Sequence, residues 1–373
     1  MSARRVVHVT DSAGFGGAER QILTLIEHLD RDRWDPILAH HGSPGIQPLV
    51  EGARALGVPD VVLPAMPDGL AGARRVPRAA RTLRALGADV LHAHLTWPLA
   101  CKWPLAAGVA GRVPAVLATV QLYLPFTATR ATLLQHRVLA RGVGRYICVS
   151  RFVADACVAH VGWPPERVSV VHNGIDPEPW ARGDSAAGRA ALGGGEGPVA
   201  LTLARLDAQK GLEVLVEAAA QTPGVRFAIA GDGPQRAALE QQIERLGLGG
   251  RVRLLGRRED AADLLAGCDL FVLPSRFEGL PVSVVEAMAA SRPVVATAIG
   301  GTDEAVVEGE TGLLVPAGDA PALAAAVSRI ASDAELSAAM AAAGRERALA
   351  SFTATGMAGA VEQTYLELLG DRA

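Results

Sequence analysis

The sequence predicts an α/β protein made of two doubly wound, Rossmann-like domains in succession. Three observations carry that reading. Short apolar runs alternate with helical patterns along nearly the whole chain, the mark of parallel strands joined by crossover helices. The alternation breaks once, around residues 173–198, where Asn173-Gly174, Pro177, Pro179 and Gly193–Gly195 gather turn formers, and then begins again. The 373 residues exceed one ordinary domain and suffice for two. The expected division is 1–176, 177–353 and a closing segment 354–373.

In the first half the strand candidates are Val6–Thr10, Pro36–Ala39, Val61–Leu63, Val90–His92, Ala115–Thr119, Tyr146–Val149 and Val168–Val171. Each is a brief apolar run bounded by polar or turn-forming residues. Helical patterns fall between them at Ala18–Leu29, Arg75–Leu86, Thr129–Leu139 and Arg151–His160, with Ser150 placed as an N-cap. After the break the order is strand Val199–Leu203, helix Leu212–Ala220, strand Arg226–Ala230, helix Gln235–Leu246 and strand Val252–Leu254. Helix Ala261–Ala266, strand Leu270–Leu273, helix Val282–Ala290 and strands Val294–Ala296 and Gly312–Val315 follow. Ala320–Ala326 is an Ala-rich helix, and Ala354–Leu369 is amphipathic, with Val361, Tyr365, Leu368 and Leu369 on one side.

Half the residues are hydrophobic and 4% are aromatic, so the cores are expected to be built of Ala, Val and Leu. No apolar run reaches the ~18 residues a membrane span needs. The opening Met1-Ser-Ala-Arg-Arg5 leads directly into a strand and lacks a secretory leader's apolar core. Cys101, Cys148, Cys157 and Cys268 show no metal-ligand spacing and read as buried hydrophobes of a reduced, cytoplasmic protein.

The net charge of −3 is unevenly divided. Residues 1–176 hold 19 basic and 13 acidic side chains, against 17 and 26 in residues 177–373. A basic first half suits an acidic acceptor or an anionic membrane surface. Arg74, Arg75, Arg78, Arg81 and Arg84 form one cationic helix face, which reads first as plain solvation. The chain has two lysines, Lys102 and Lys210, among many arginines. Where Arg is so favoured, a Lys suggests a site that wants a compact ammonium, or else codon chance.

The most informative segment is Pro274-Ser-Arg-Phe-Glu278-Gly-Leu-Pro-Val-Ser-Val-Val-Glu286, which follows the strand Leu270–Leu273. A strand-turn-helix aims free backbone N–H groups at whatever lies beyond the strand end, and an anion is the natural guest. Glu278 sits in the turn and Glu286 two helical turns further on, so both can look into one site.

This segment resembles the EX7E signature of retaining, GT-B-fold glycosyltransferases of the GT4-like kind, glycosyl transferases group 1. The resemblance implies two Rossmann-like domains facing across a cleft, the first for the acceptor and the second for the donor. It also implies that the segment 354–373 crosses back onto the first domain. Glu278 and Phe277-Glu278-Gly279-Leu280 would contact the donor sugar, and Glu286 the ribose hydroxyls. Arg205-Leu-Asp-Ala-Gln-Lys210-Gly211 resembles the family's R-x4-K-G pattern, in which the two cations bracket the pyrophosphate. Fixed cations there stabilise the charge developing on the leaving diphosphate, typically by about 2–4 kcal/mol each. The glycine turn Gly14-Phe-Gly16-Gly17-Ala-Glu-Arg20 resembles the loop bordering the diphosphate, with Gly16 and Gly17 at the donor. Gly231-Asp-Gly233-Pro234 and Leu255-Gly256-Arg257 would lie beside the base, and Gly300-Gly301 would close the site.

On the acceptor side, His92-Ala-His94 resembles the family's H-x-H element, and Tyr123-Leu-Pro-Phe126 follows the next strand. His94, Gln121 and Tyr123 are the acceptor candidates. At Gln121 many relatives carry a His; a carboxamide hydrogen-bonds a sugar hydroxyl but does not shuttle a proton. No DxD motif offers a metal site, and no metal or other cofactor is expected, Arg205 and Lys210 standing in for the cation.

The expected function is retaining transfer from a nucleoside diphosphate sugar, UDP-linked or GDP-linked with UDP favoured, to a hydroxyl acceptor by front-face departure. A carboxylate nucleophile at Glu278 ranks lower. The acceptor class is open among saccharide, lipid-linked and natural-product hydroxyls. No nucleic acid is expected as a partner, and the basic first domain provides for peripheral contact at the inner membrane face. Two other readings are a nucleotide-sugar epimerase or isomerase of the same fold and a non-catalytic nucleotide-sugar-binding protein. Glu278→Gln or Lys210→Ala is expected nearly to abolish transfer with folding intact.

Overall fold

The computed structural model describes residues 3–370. It forms two compact units, one of the chain up to Gly174 together with the segment from Ala354, the other Ile175–Thr353.

The first unit runs β1 (Arg4–Thr10), α1 (Gly17–His28), β2 (Trp34–His40), α2 (Gln47–Ala55), β3 (Asp60–Val62), α3 (Leu70–Ala73), α4 (Val76–Ala85) and β4 (Val90–Leu95). It continues with α5 (Lys102–Gly111), β5 (Ala115–Val120), α6 (Arg130–Ala140), β6 (Arg145–Cys148), α7 (Arg151–Ala156) and β7 (Val168–Val170). The sheet order is β3-β2-β1-β4-β5-β6-β7, and its neighbours pair in parallel. β4 and β5 are buried at every position, as central strands covered on both faces must be. The order reverses between β1 and β4, so the turns after Thr10 and Leu95 flank the point where such sheets bind ligands.

The second unit runs α8 (Glu178–Ala181), α9 (Ser185–Ala191), β8 (Val199–Leu203), α10 (Leu212–Ala220), β9 (Arg226–Ala230), α11 (Arg236–Arg245), β10 (Val252–Gly256) and α12 (Ala261–Gly267). Then come β11 (Leu270–Leu273), α13 (Val282–Ala289), β12 (Val294–Thr297), α14 (Thr302–Ala305), β13 (Gly312–Val315), α15 (Ala320–Ser332) and α16 (Ala334–Ser351). Its parallel sheet has the order β10-β9-β8-β11-β12-β13, reversing between β8 and β11. One face is closed by Leu212, Leu215, Val216 and Leu323 packed with Phe227, Ile229, Leu270 and Val272.

The last helix, α17 (Ala354–Leu369), belongs to the first unit. Its Met357, Val361, Tyr365 and Leu366 share a core with Val6, Leu25, Trp34, Val90 and Leu117. Each such side chain, fully buried, is worth about 1.5–3 kcal/mol. The Tyr365 ring meets Trp34 edge-on at 5.1 Å.

Three features depart from the sequence reading. The stretch 177–198 is more than a connection. Pro177 and Pro179 open α8, Asp184 caps α9 through the Ala186 and Ala187 N–H groups, and α9 lies flush on α12. A Cβ on Gly188 would sit 1.7 Å from the Asp263 carbonyl oxygen. Helices α2, α3, α5, α14 and α16 add to those expected, and the pattern Arg151–His160 is α7 followed by a π-helical turn, Cys157–Val161. The four cysteines are free and buried, and no helix among the described residues is long and apolar enough to cross a membrane.

Candidate functional site

In the second unit the site grows from the switch point. The turn after β8 carries Arg205 and Lys210, and the turn after the neighbouring β11 carries Ser275 and Glu278. Lys210 Nζ lies 2.6 Å from Glu278 Oε1, with the two side chains 16% and 7% exposed. Ser275, wholly buried, donates its hydroxyl to the same oxygen at 2.6 Å. Thr297, at the end of β12, fixes this turn by donating to the Ser275 carbonyl at 2.6 Å. Gln209 joins the two turns: its carboxamide donates to the Phe277 carbonyl at 3.0 Å, and its own carbonyl receives the Arg276 N–H at 2.7 Å.

Arg205 stands apart from that pair. Its guanidinium meets Asp207 at 2.9 Å and is 64% exposed, so it reaches toward solvent from the same turn as Lys210. Glu286 is buried on α13, and Gly279 and Leu280 are buried in the turn before it, with Phe277 half-buried.

The remaining turns converge on these. Gly231 donates its N–H to the Gly256 carbonyl at 2.8 Å, which ties the end of β9 to the end of β10. A Cβ on Gly231 would stand 1.8 Å from the Ala204 carbonyl oxygen, so this turn needs glycine to lie against the one bearing Arg205. Gly233 packs likewise against Leu206, whose N–H binds the Asp232 carbonyl at 3.0 Å. Leu255 and Gly256 are the last residues of β10 itself. Gly300, at φ +53°, presses on Glu278; a Cβ there would come within 2.0 Å of the Glu278 carbonyl oxygen. An ammonium, an outreaching guanidinium and a fixed carboxylate at the carboxyl end of a parallel sheet can hold an anionic, hydroxylated ligand.

In the first unit, Gly16 and Gly17 stand at the start of α1. Gly16 donates its N–H to Glu19 Oε2 at 2.7 Å, and a Cβ on Gly17 would meet nothing within 4 Å. His94 and Gln121 are brought together with Gln21, Thr119 and Asn173 around a cavity of about 20 Å³, room for roughly one water-sized group. Asn173 Nδ2 donates to Gln121 Oε1 at 2.8 Å, which orients that carboxamide. Tyr123 is buried and does not line this cavity; it stacks on His160 with ring centroids 5.6 Å apart.

His94 also belongs to a buried histidine group. Its Nε2 lies 3.0 Å from His8 Nδ1, while His92 lies 2.7 Å from the Tyr365 hydroxyl at Nδ1 and 2.7 Å from Thr119 Oγ1 at Nε2. Burial, with Arg31 second, pushes His8 down to about 3. Burial and then its imidazole neighbours hold His92 and His94 well below the ordinary histidine range. Ring nitrogens of the three lie within 4.8 Å of one another, which invites a metal. The residues do not fit one: both His92 nitrogens are engaged by hydroxyls, and tetrahedral bonds of ~2.0–2.1 Å would hold two nitrogens about 3.3 Å apart rather than in hydrogen-bond contact. Neutral imidazoles sharing protons fit the spacing.

Sequence reasoning missed Ser275, Gln209, Asn173, Gln21 and His8. Ser275 lay inside the informative segment, three residues before Glu278, and Gln209 inside the Arg205–Lys210 motif; Asn173, Gln21 and His8 carry no local signal.

Both halves of the chain match families of known proteins. The family model described as glycosyl transferases group 1 matches residues 189–347, and the one described as glycosyltransferase family 4 matches residues 15–179. The lipopolysaccharide core biosynthesis glycosyltransferase LpsE of Rhizobium meliloti is 35% identical over 177 residues, 48% of this chain and 51% of that protein. The α-D-kanosaminyltransferase of Streptomyces kanamyceticus is 39% identical over 145 residues, 37% of this chain and 38% of that protein. The matches span about half the length of these curated relatives or less. Among solved structures, Anabaena HepE in complex with UDP superposes with a TM-score of 0.86 at 25% identity, covering 97% of this chain and 100% of that one. A glycosyltransferase from Rickettsia africae shares the fold, with a TM-score of 0.88 at 18% identity over 100% of both chains. With both halves matched in order and both sheets wound alike, the chain belongs to the GT4-like glycosyltransferases of GT-B fold.

Proposed function

We propose that the protein is a retaining glycosyltransferase that moves a sugar from a nucleoside diphosphate sugar, UDP-linked in the first instance, to a hydroxyl acceptor without a metal ion. The observation that carries the reading is the Lys210–Glu278–Ser275 contact at the switch point of the second unit. It is supported by HepE, which has been crystallised with UDP and with UDP-glucose and is 25–26% identical to this chain.

In this reading Lys210 and Arg205 take the diphosphate, Glu278 takes sugar hydroxyls through Oε2, and Glu286 takes the ribose. Gly231, Gly233, Leu255 and Gly256 border the base. The acceptor oxygen attacks the anomeric carbon as the bond to the β-phosphate oxygen breaks. The electron pair leaves with the diphosphate, and a phosphate oxygen on the same face takes the acceptor's proton. Gln121, which cannot shuttle a proton, is compatible with that route. The acceptor is a saccharide, a lipid-linked sugar or a natural product. The exposed Arg74–Arg84 face serves an anionic membrane surface, the protein itself working in the cytoplasm.

The test is UDP release from a panel of UDP- and GDP-sugars, with and without EDTA, followed by NMR of the product's anomeric configuration. UDP release that survives EDTA and a product retaining the donor's configuration are expected. No release with any donor, dependence on a divalent ion, or an inverted product would each overturn the corresponding part.

A further inference from the structure

We infer that the aromatic cluster beyond the carboxyl ends of β4, β5 and β6 is a platform for a pyranose ring of the acceptor. This rests on the glycosyltransferase reading and adds the chemical class of the acceptor: a saccharide, or a glycoside with a ring presented on its C–H face.

Aromatics are scarce in this chain, at 4% of residues. Large ones elsewhere, such as Trp34, Trp163, Tyr146 and Phe271, lie fully inside the cores. The two aromatics that stand exposed among the described residues, Trp97 at 38% and Phe152 at 42%, both belong to one cluster. Trp97 follows β4, Tyr123 and Phe126 follow β5, and Phe152 opens α7 after β6. The rings are linked: Trp97 to Phe126 at 5.4 Å, Phe126 to Tyr123 at 6.0 Å and Tyr123 to Phe152 at 6.3 Å. Tyr123, 7% exposed, is the fixed centre of the group.

A pyranose is two-sided, with a face of C–H bonds and a rim of hydroxyls. The C–H face gains dispersion and electrostatic attraction on an aromatic face, and rigid aromatics lose little entropy in providing it. The rim needs amides, and Gln121, two residues before Tyr123, has its carboxamide oxygen held by Asn173, which leaves the NH₂ group to donate. Apolar faces and a preset amide on one loop match a sugar better than a bilayer, which would want the central ring outermost rather than buried.

Saturation-transfer NMR of the full chain with millimolar methyl and p-nitrophenyl glycosides of glucose, galactose, mannose and N-acetylglucosamine tests this. At least one pyranoside should show transfer strongest at its axial ring protons. Trp97→Ala and Phe152→Ala should each cut the signal at least fivefold, and Trp97→Phe should keep most of it. Circular dichroism confirms folding of each variant. UDP titration, read separately, should be unchanged; failure of wild type to bind UDP would count against the donor reading and leave the platform standing. Absence of transfer to every pyranoside, or signal persisting in the Trp97→Ala/Phe152→Ala variant, overturns the platform. Binding to phosphatidylglycerol vesicles that is lost in that variant overturns it in favour of a membrane contact.

Discussion

Ser275 donates its buried hydroxyl to Oε1 of Glu278 at 2.6 Å, the same carboxylate oxygen that Lys210 engages. Both donors fall on one oxygen, so the sugar contact proposed for this carboxylate is assigned to Oε2. A hydrogen bond to a charged group is worth about 1.5–3 kcal/mol. Ser275→Ala is therefore expected to lower kcat by about 10–100-fold, with KM for the donor changed less. Ser275→Thr, which keeps the hydroxyl, should recover part of the loss. Steady-state kinetics on UDP-sugar turnover checks this, and a Ser275→Ala enzyme at wild-type kcat would remove Ser275 from the machinery.

Lys210 and Glu278 form a pair with side chains 16% and 7% exposed, so the two substitutions expected from sequence to leave folding intact should differ. Lys210→Ala strands a buried carboxylate and should lose about 3–5 kcal/mol of stability together with activity. Glu278→Gln keeps the shape, accepts from both donors and should lose activity with far less stability. Urea unfolding of the two variants distinguishes them; equal midpoints would contradict the geometry.

Gly300→Ala places a methyl 2.0 Å from the Glu278 carbonyl oxygen at a φ of +53°, so the turn must move. A shift of the Glu278 backbone should cost at least tenfold in kcat/KM, whereas Gly249→Ala, in open space, should cost nothing measurable.

The buried imidazoles make the fold acid-sensitive. His8 is held down at about 3 and His136 at about 4, both first by burial, against an ordinary 6.5. Unfolded chain binds protons below pH 6.5 that the folded chain refuses, so stability is full above that pH. It falls as pH drops toward 4 for His136 and toward 3 for His8. Each suppressed imidazole contributes up to about 1.4 kcal/mol per pH unit in that window. Urea midpoints should fall between pH 7 and pH 5, and His136→Leu should flatten the slope; a slope unchanged by that substitution would mean another group carries it.

Where the sequence was legible, local chemistry and global packing agreed. Strands such as Leu270–Leu273 and Gly312–Val315 are apolar runs with turns on both sides, and they appear with the expected bounds. Helix α5 was illegible because Pro104, Gly108 and Gly111 contradict a helical reading. Packing explains the glycine: a Cβ on Gly108 would lie 2.3 Å from Leu91 Cδ2, so glycine admits the helix to the sheet. The motif residues of the second unit could be read because they stand at or just beyond the ends of strands, or on the helix that follows. Their contacts could not: Ser275, Gln209 and Lys210 meet only because β8 and β11, whose carboxyl ends Leu203 and Leu273 are 70 residues apart, are sheet neighbours.

The place of α17 has a consequence for biosynthesis. The core around Val6, Val90 and Leu117 needs Tyr365 and Leu366, so a ribosome must translate all of Ile175–Thr353 before the first sheet can be completed. The contiguous second unit has everything it needs earlier and can fold ahead of the body that precedes it, reversing the usual N-terminal-first order of nascent chains. Until the final helix emerges, the nascent first sheet presents an unfinished apolar face, a client surface for chaperones.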